Sequence, residues 1–289
     1  MVTTLLTGVA TGAIYALVAM GLNLAYLSSK VFNFAHAQFV MLGALLSATL
    51  VERGWPWPLA LLLAALTPAS VAWIEELFVV RLAARFGAEG HSALVSTLGF
   101  GVLIQASAGL RWGEDPRTMP FAGRTEPVQV GSGYILPVQL AVVVAAVVAV
   151  VVFEVLSRRT RHGLRYLAIA EDPAAAQLRG INAKRMVTTS FVVAGGLAGA
   201  VGFLIAPITS AFPELGSLLV LKAFVAMAVG GFGSQAGAVV GGITLGLAEA
   251  VGAYQFGGGY PNVLAFGLLL VVLLVRPTGL FGRRDGRLV

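Results

Sequence analysis

The sequence predicts an all-α polytopic membrane protein of about eight or nine transmembrane helices, and three observations carry that expectation. Hydrophobic residues make up 58% of the 289 positions and charged residues only 11%, where a soluble domain carries roughly 25% charged. A single soluble core of this size cannot hide so much apolar surface. The apolar residues fall into runs near the roughly 20-residue length that crosses a bilayer. Finally, the basic residues gather in a few of the connecting segments, the distribution that membrane insertion imposes on cytoplasmic loops.

The runs lie at 5–27, 34–51, 58–80, 92–110, 136–156, 186–207, 215–231, 236–253 and 261–275. The first, from Leu5 to Leu27, has no Lys/Arg-rich start and is long enough to span. It reads as a retained transmembrane helix rather than a cleaved signal peptide. The runs at 34–51, 215–231, 236–253 and 261–275 are short. They are expected to be tilted, broken or re-entrant, which leaves eight crossings open beside nine.

Arg158, Arg159, Arg161, Arg165, Arg179, Lys184 and Arg185 fill the loop 158–185, which is expected to be cytoplasmic. Arg276, Arg283, Arg284 and Arg287 place the C-terminus on the same side, and the four runs between these two places agree in parity. Counting backward puts Arg81, Arg85 and Lys30 inside and the N-terminus outside. The loop 111–135 falls outside, where Arg111, Arg117 and Arg124 balance Glu114, Asp115 and Glu126. The net charge of +6 is therefore a topology signal and not a nucleic-acid footprint. One transmembrane domain over 1–289 is expected.

With no cysteine there is no disulfide framework, iron–sulfur cluster or thiolate zinc site. His36, His91 and His162 lie far apart, so no metal site is expected. The 36 glycines suit close helix packing in a membrane. Gly8/Gly12, Gly195/Gly199, Gly237/Gly241 and Gly242/Gly246 have the spacing that lets two helix backbones touch. Gly231-Phe232-Gly233-Ser234-Gln235-Ala236 mimics a dinucleotide fingerprint but follows an apolar run rather than a strand. It reads as a tight turn or helix break.

Ionisable groups inside spans cost several kcal/mol and mark functional candidates. Glu75 and Glu76 sit in the third run, Lys222 and Glu249 near the outer ends of the seventh and eighth. A Lys222–Glu249 ion pair would neutralise both, while a contact with a transported solute remains open. Asn23, Asn33, His36 and Gln38 form a polar group around the first inner turn, with Asn33 and His36 spaced to share a helix face. Two readings stand: hydrogen bonds that fix the bend, or the lining of a translocation path, to which Glu76 also belongs.

Within the cytoplasmic loop, Asp172 suits an N-cap, Pro173 the first helical position and Gly180 the position past the C-cap. Ala174 to Arg179 favour helix between those stops. Such a helix is too short to be stable alone. Lying on lipid is one reading, but its Ala-rich surface gives little apolar depth and suits a groove in a partner protein better.

The order Glu171, Asp172, Pro173, Ala174, Ala175, Ala176 and then Gly180 resembles the coupling helix of ABC-importer permeases. The wider chain is similar to the Liv-type branched-chain amino acid permeases, through TGAIYALVAMGLNLAY, FNFAHAQFVMLGA, LVSTLGFGVLIQ, LVLKAFVAMAVGGFGSQAGAVVGGITLGLAEA and LLVRPTGLFG. The NFAH block resembles the H-type subunit more than the M-type. Where such members read N-F-A-H-G-E, Ala37 and Gln38 stand here, and Leu77 follows Glu76 where an arginine is usual.

The resemblance implies an ABC importer permease fold and a subunit translocating branched-chain or other small amino acids across a bacterial inner membrane, with its C-terminus cytoplasmic. It implies two ATPase subunits, a second permease subunit that is identical or a sister, and an extracytoplasmic solute-binding protein, besides membrane lipid. No residue is expected to be catalytic. None of Lys30, Lys184 and Lys222 follows glycine in a phosphate-binding loop, so no cofactor is expected in this chain and ATP belongs to the partners. A urea or short-chain amide permease is an alternative within the family. An ion-coupled secondary transporter and a membrane scaffold are alternatives outside it.

Overall fold

A computed structural model describes residues 1–85 and 90–282. Arg283, Arg284 and Arg287 of the expected basic C-terminus lie outside the described residues, as do the side chains of Arg85 and His91. Twelve helices and one β-hairpin follow in order: α1 (Val2–Ser29), α2 (His36–Glu52), α3 (Trp57–Glu75), a π-helical turn (Glu76–Val80), α4 (Arg81–Arg85), α5 (Gly90–Trp112), β1 (Val128–Val130), β2 (Gly133–Ile135), α6 (Pro137–Arg159), α7 (Arg161–Glu171), α8 (Pro173–Leu178), α9 (Ala183–Thr209), α10 (Leu215–Gly230), α11 (Gln235–Phe256) and α12 (Pro261–Val275).

Among the described residues, six helical stretches are long and apolar enough to cross a membrane: α1, Trp57–Ala83, Ser92–Trp112, α6, α9 and α11. Three apolar helices are shorter, α2 with 17 residues, α10 with 16 and α12 with 15. The expectation of a short run at 236–253 is corrected, because α11 extends over 22 residues, from a Ser234 side-chain cap to Gly257 at φ 89°. The added residues are Gln235 and Tyr254, Gln255 and Phe256, where the glutamines end the apolar run but not the helix.

The contacts between helix ends sort them onto two rims. On one rim, Lys30 Nζ donates to Ala170 O at 2.9 Å and Tyr166 Oη to Leu24 O at 3.1 Å. On the same rim the amides of Leu280 and Phe281 donate to Val229 O and Gly230 O. On the other, Trp112 Nε1 donates to Thr49 Oγ1 at 2.8 Å, the Tyr134 amide to Thr3 Oγ1, and Arg117 pairs with Glu52 and with the Ala211 backbone. The C-terminal ends of α1 and α10 thus meet α7 and the 280–281 segment at a basic rim, and the ends of α2 and α5 meet at the opposite one. Helix α10 opens against Ala37 and Gln38 near the start of α2.

The helices pack through missing side chains. A Cβ on Gly246 would run into the backbone of Gly8 and Gly12, and one on Gly12 would lie 2.7 Å from Ile243 Cα, so α1 and α11 meet backbone to backbone. Gly195 and Gly199 let α9 lie against Ala64, Pro68 and Ala72 of α3 in the same way. Between α10 and α11 the chain reverses through Gly231 and Gly233, at φ 103° and 83°, a conformation only glycine adopts without strain. This is the tight turn expected of the 231–236 segment.

The two loops differ from expectation in their boundaries. Helix α5 runs through Arg111 to Trp112, and the opposite-rim connection that follows holds the β1–β2 hairpin, with Val128 paired to Ile135. Helix α6 runs to Arg159, and α7 occupies the first half of the basic loop. That second helix was missed because its Arg- and His-bearing start reads as loop. It begins with Thr160 Oγ1 accepting from the Gly163 amide.

Candidate functional site

The basic-rim segment is assembled from a short, capped helix. Asp172 Oδ1 accepts from the amides of Ala174 and Ala175 at 2.9 and 3.0 Å, Pro173 opens α8, and Gly180 at φ 79° ends it. Those bonds satisfy two of the orphan N–H groups that would otherwise fray so short a helix. Ala176 is buried against Ile169 and Met186. Ala174, Ala175 and Gln177 face outward, and Leu178 is 90% exposed. Glu171 is also exposed.

This segment is tied to the bundle. Besides the Lys30–Ala170 bond, Tyr166 packs with Leu24, Ala25 and Phe191 and donates its hydroxyl to Leu24 O. Burial pushes the Tyr166 phenol well above its usual range, so the hydroxyl keeps its proton and remains a donor. The α7–α8 segment is thereby joined to the C-terminal part of α1. Neither Tyr166 nor the exposed Leu178 was singled out from the sequence. The amphipathic spacing of Tyr166 and Ile169 on α7 was the available signal.

The four polar residues around the first turn do not form one cluster. Asn23 Oδ1 accepts from the Gly233 amide at 2.9 Å and holds the α10–α11 turn. Asn33 lies before α2, so it does not share a helix face with His36. Its Oδ1 accepts from the Ala35 amide, a local turn bond that competes with helix, and its Nδ2 donates to Glu75 Oε2 at 2.7 Å. His36 opens α2 with its ring against Gly21, where a Cβ would collide with Nε2. Gln38 reaches the other way, donating to Ser217 Oγ at 3.1 Å, and Ser217 donates to Gln105 Oε1 at 2.7 Å. Gln105 and Ser217 were not found from the sequence, since an isolated Gln or Ser in a span has no distinguishing pattern.

The neighbouring acids separate in role. Glu76, in the π-helical turn, accepts three bonds from Arg81, the ion pair closing at 2.9 Å, and one from Thr188 of α9. Glu75 is fully buried with Asn33 as partner to one oxygen.

Lys222, Glu249 and Tyr15 form a closed triad across α10, α11 and α1. Lys222 Nζ donates to Glu249 Oε1 at 2.7 Å and to Tyr15 Oη at 3.1 Å, and Tyr15 Oη donates to Glu249 Oε2 at 2.7 Å. Tyr15 is the member the sequence did not reveal. Lys222 stands midway along α10 rather than near its outer end.

These spans, their glycine seams and the capped rim helix find their counterpart in known proteins. A family profile described as "Branched-chain amino acid transport system / permease component" matches residues 4–274. The chain belongs to this permease family. LivH of Escherichia coli (strain K12), a high-affinity branched-chain amino acid transport system permease protein, is 30% identical over 96% of this chain and 94% of its own length. BraD of Pseudomonas aeruginosa, of the same description, is 32% identical over 97% and 95%. A solved structure titled PsaBC from Streptococcus pneumoniae in complex with Fab aligns with 96% of this chain and 91% of its own at a TM-score of 0.49 and 13% identity. A Liv-type permease is a multi-pass membrane transport component and not an enzyme, and membership removes the scaffold reading.

Proposed function

We propose that this permease imports branched-chain or other small amino acids across a bacterial inner membrane, driven by ATP hydrolysis in two separate ATPase subunits. A second permease subunit, identical or a sister, completes the pore, and an extracytoplasmic solute-binding protein delivers the solute to the opposite rim. The basic rim and the C-terminus are cytoplasmic, as the lysines and arginines of the 158–185 loop favour.

The observation that carries the reading is the built geometry of α8. One face is fixed by the Asp172 cap and the buried Ala176, and the other presents Ala174, Ala175 and Leu178 outward. Small residues allow close approach and a single projecting leucine offers an anchor, which fits a groove in a soluble ATPase better than a lipid surface. Closure of the ATPases would move α8, and the Tyr166 and Lys30 tethers would carry that motion to α1 and its neighbours. Binding free energy is converted in this way into a shift between outward- and inward-open states.

Ala175→Glu tests it. The exposed position tolerates the new side chain in the isolated subunit, so membrane insertion and thermal stability should be unchanged. A carboxylate forced into the docked interface should cost at least about 1.4 kcal/mol, roughly a tenfold loss of affinity. The measurement is pull-down of the ATPase subunits together with uptake of labelled leucine. Normal recovery and normal uptake would reduce α8 to a lipid-surface element.

A second reading has one observation in its favour. Gln38, Gln105 and Ser217 place only neutral donors and acceptors where related permeases carry a glutamate, which suits urea or a short-chain amide. Competition of leucine uptake by acetamide and urea separates the two.

A further inference from the structure

From the packing around α10, we infer that its outward stripe is a wall of the solute path and that Lys222 binds the solute's carboxylate there. This rests on the amino-acid permease reading above.

Lys222 lies midway along the 16-residue α10, and its partner Tyr15 midway along the 28-residue α1. The triad is therefore at the depth where a charge is hardest to place against hydrocarbon. Yet Lys222 is not sealed in. Its side chain is 17% exposed, against 8% for Glu249. Two of its three ammonium hydrogens are taken by Glu249 and Tyr15, and no acceptor meets the third among the described residues.

The rest of α10 shows what this opening faces. Glu214, Leu218 and Leu221 are exposed and fall within about 60° of one another at 100° per residue. Ser217 lies at one edge of that stripe, joined to Gln105 and Gln38, and Lys222 lies at the other, about 140° away from Ser217. A stripe that opens on Glu214, continues with two leucines and is bounded on both edges by partly exposed polar groups does not suit lipid. The outward face of α6, by contrast, offers Val144, Val147, Val148, Val151, Val152 and Val155, and Glu154 joins it only in the last turns, paired with Arg158.

The chemistry of the edges selects the ligand. An ammonium with one unused donor, held in place by a carboxylate and a phenol, attracts an anionic oxygen. The leucines between the polar edges offer contact to an aliphatic side chain. A small aliphatic α-amino acid meets both requirements, and an uncharged amide meets only the second.

The test is the charge swap Lys222→Glu with Glu249→Lys, in the complete transporter with its ATPases and binding protein. The swap keeps an ion pair between α10 and α11 but turns a carboxylate toward the path. Thermal stability and ATPase recovery should be kept while leucine uptake falls at least tenfold, and Lys222→Arg should retain uptake within a few fold. Normal uptake by a stable swap would overturn the inference. If the swap does not fold, Lys222→Cys with Glu249→Gln gives an independent answer, because the chain has no other cysteine. A small water-soluble thiol reagent should label it, and saturating leucine should slow the labelling. Absence of labelling in folded protein, or labelling that leucine leaves unchanged, would overturn it as well. A wild-type chain that neither recovers ATPases nor takes up leucine would instead defeat the permease reading, an outcome distinct from these.

Discussion

Helices α1 and α6 are both long apolar spans, but α1 is buried over most of its length and α6 over little of it. Helix α6, the more hydropathic, is the one that lies at the surface. Its face is a run of valines, whereas α1 carries Gly8, Gly12, Ala16 and Tyr15 and closes on Gly242, Gly246 and Glu249 of α11. The difference teaches that hydropathy in such a chain reports contact with lipid, while small and polar residues report contact with protein. With lipid as the solvent, burying a further leucine gains little. Helices are joined by backbone approach and by hydrogen bonds instead.

The sharpest way to break this contrast is at the seam. Gly246→Val would drive a branched side chain into the backbone of Gly8 and Gly12, which cannot retreat without separating α1 from α11. A loss of about 3 kcal/mol or more is expected. It should appear as a large fall in the thermal midpoint in detergent and loss of monodisperse protein on size exclusion. A variant as stable as wild type would show that the seam is not what joins these helices.

Much of this was legible in the sequence. The spans, the basic rim and the α8 caps follow from run length, charge placement and the order Asp172, Pro173, Gly180, because each is a local property. The glycine pairs announced close packing but not their partners. What was not legible depends on three-dimensional proximity. Asn33 bonds Glu75 across 42 residues and Tyr15 bonds Glu249 across 234, distances over which no spacing rule operates. Gln105 and Ser217 were invisible for the same reason. The shared helix face assigned to Asn33 and His36 failed because the side chain of Asn33 bonds the Ala35 amide and keeps the chain out of helix until His36.

A smaller effect is expected where the seam is polar. Lys222→Met removes the charge that Glu249 faces and leaves a buried carboxylate with Tyr15 as its remaining bond. The cost should be of order 3 kcal/mol, at or below that at Gly246. Adding Glu249→Gln should recover much of it, since the amide still accepts from Tyr15 and carries no charge. The double-mutant cycle is read from thermal midpoints. Additive losses would mean that the two groups do not depend on one another, and the ion pair would then contribute nothing to holding α10 against α11.

The smallest effect belongs to α6. Val148 points away from the bundle, beside Val144, Val151 and Val152, all exposed. In the membrane that face meets acyl chains, which are as apolar as the side chain itself, so exchanging one aliphatic group for another alters neither hydration nor packing against protein. Val148→Leu should therefore change stability by no more than about 0.5 kcal/mol and leave uptake of labelled leucine at the wild-type rate. Val148→Asn sharpens the same point. It retains similar bulk but places an amide with no protein partner against hydrocarbon, so its thermal midpoint should drop while that of Val148→Leu does not. If the asparagine variant were as stable as wild type, the α6 face would be in contact with water or with a polar partner surface. The division of the molecule into a protein-facing seam and a lipid-facing valine wall would then be wrong at this helix.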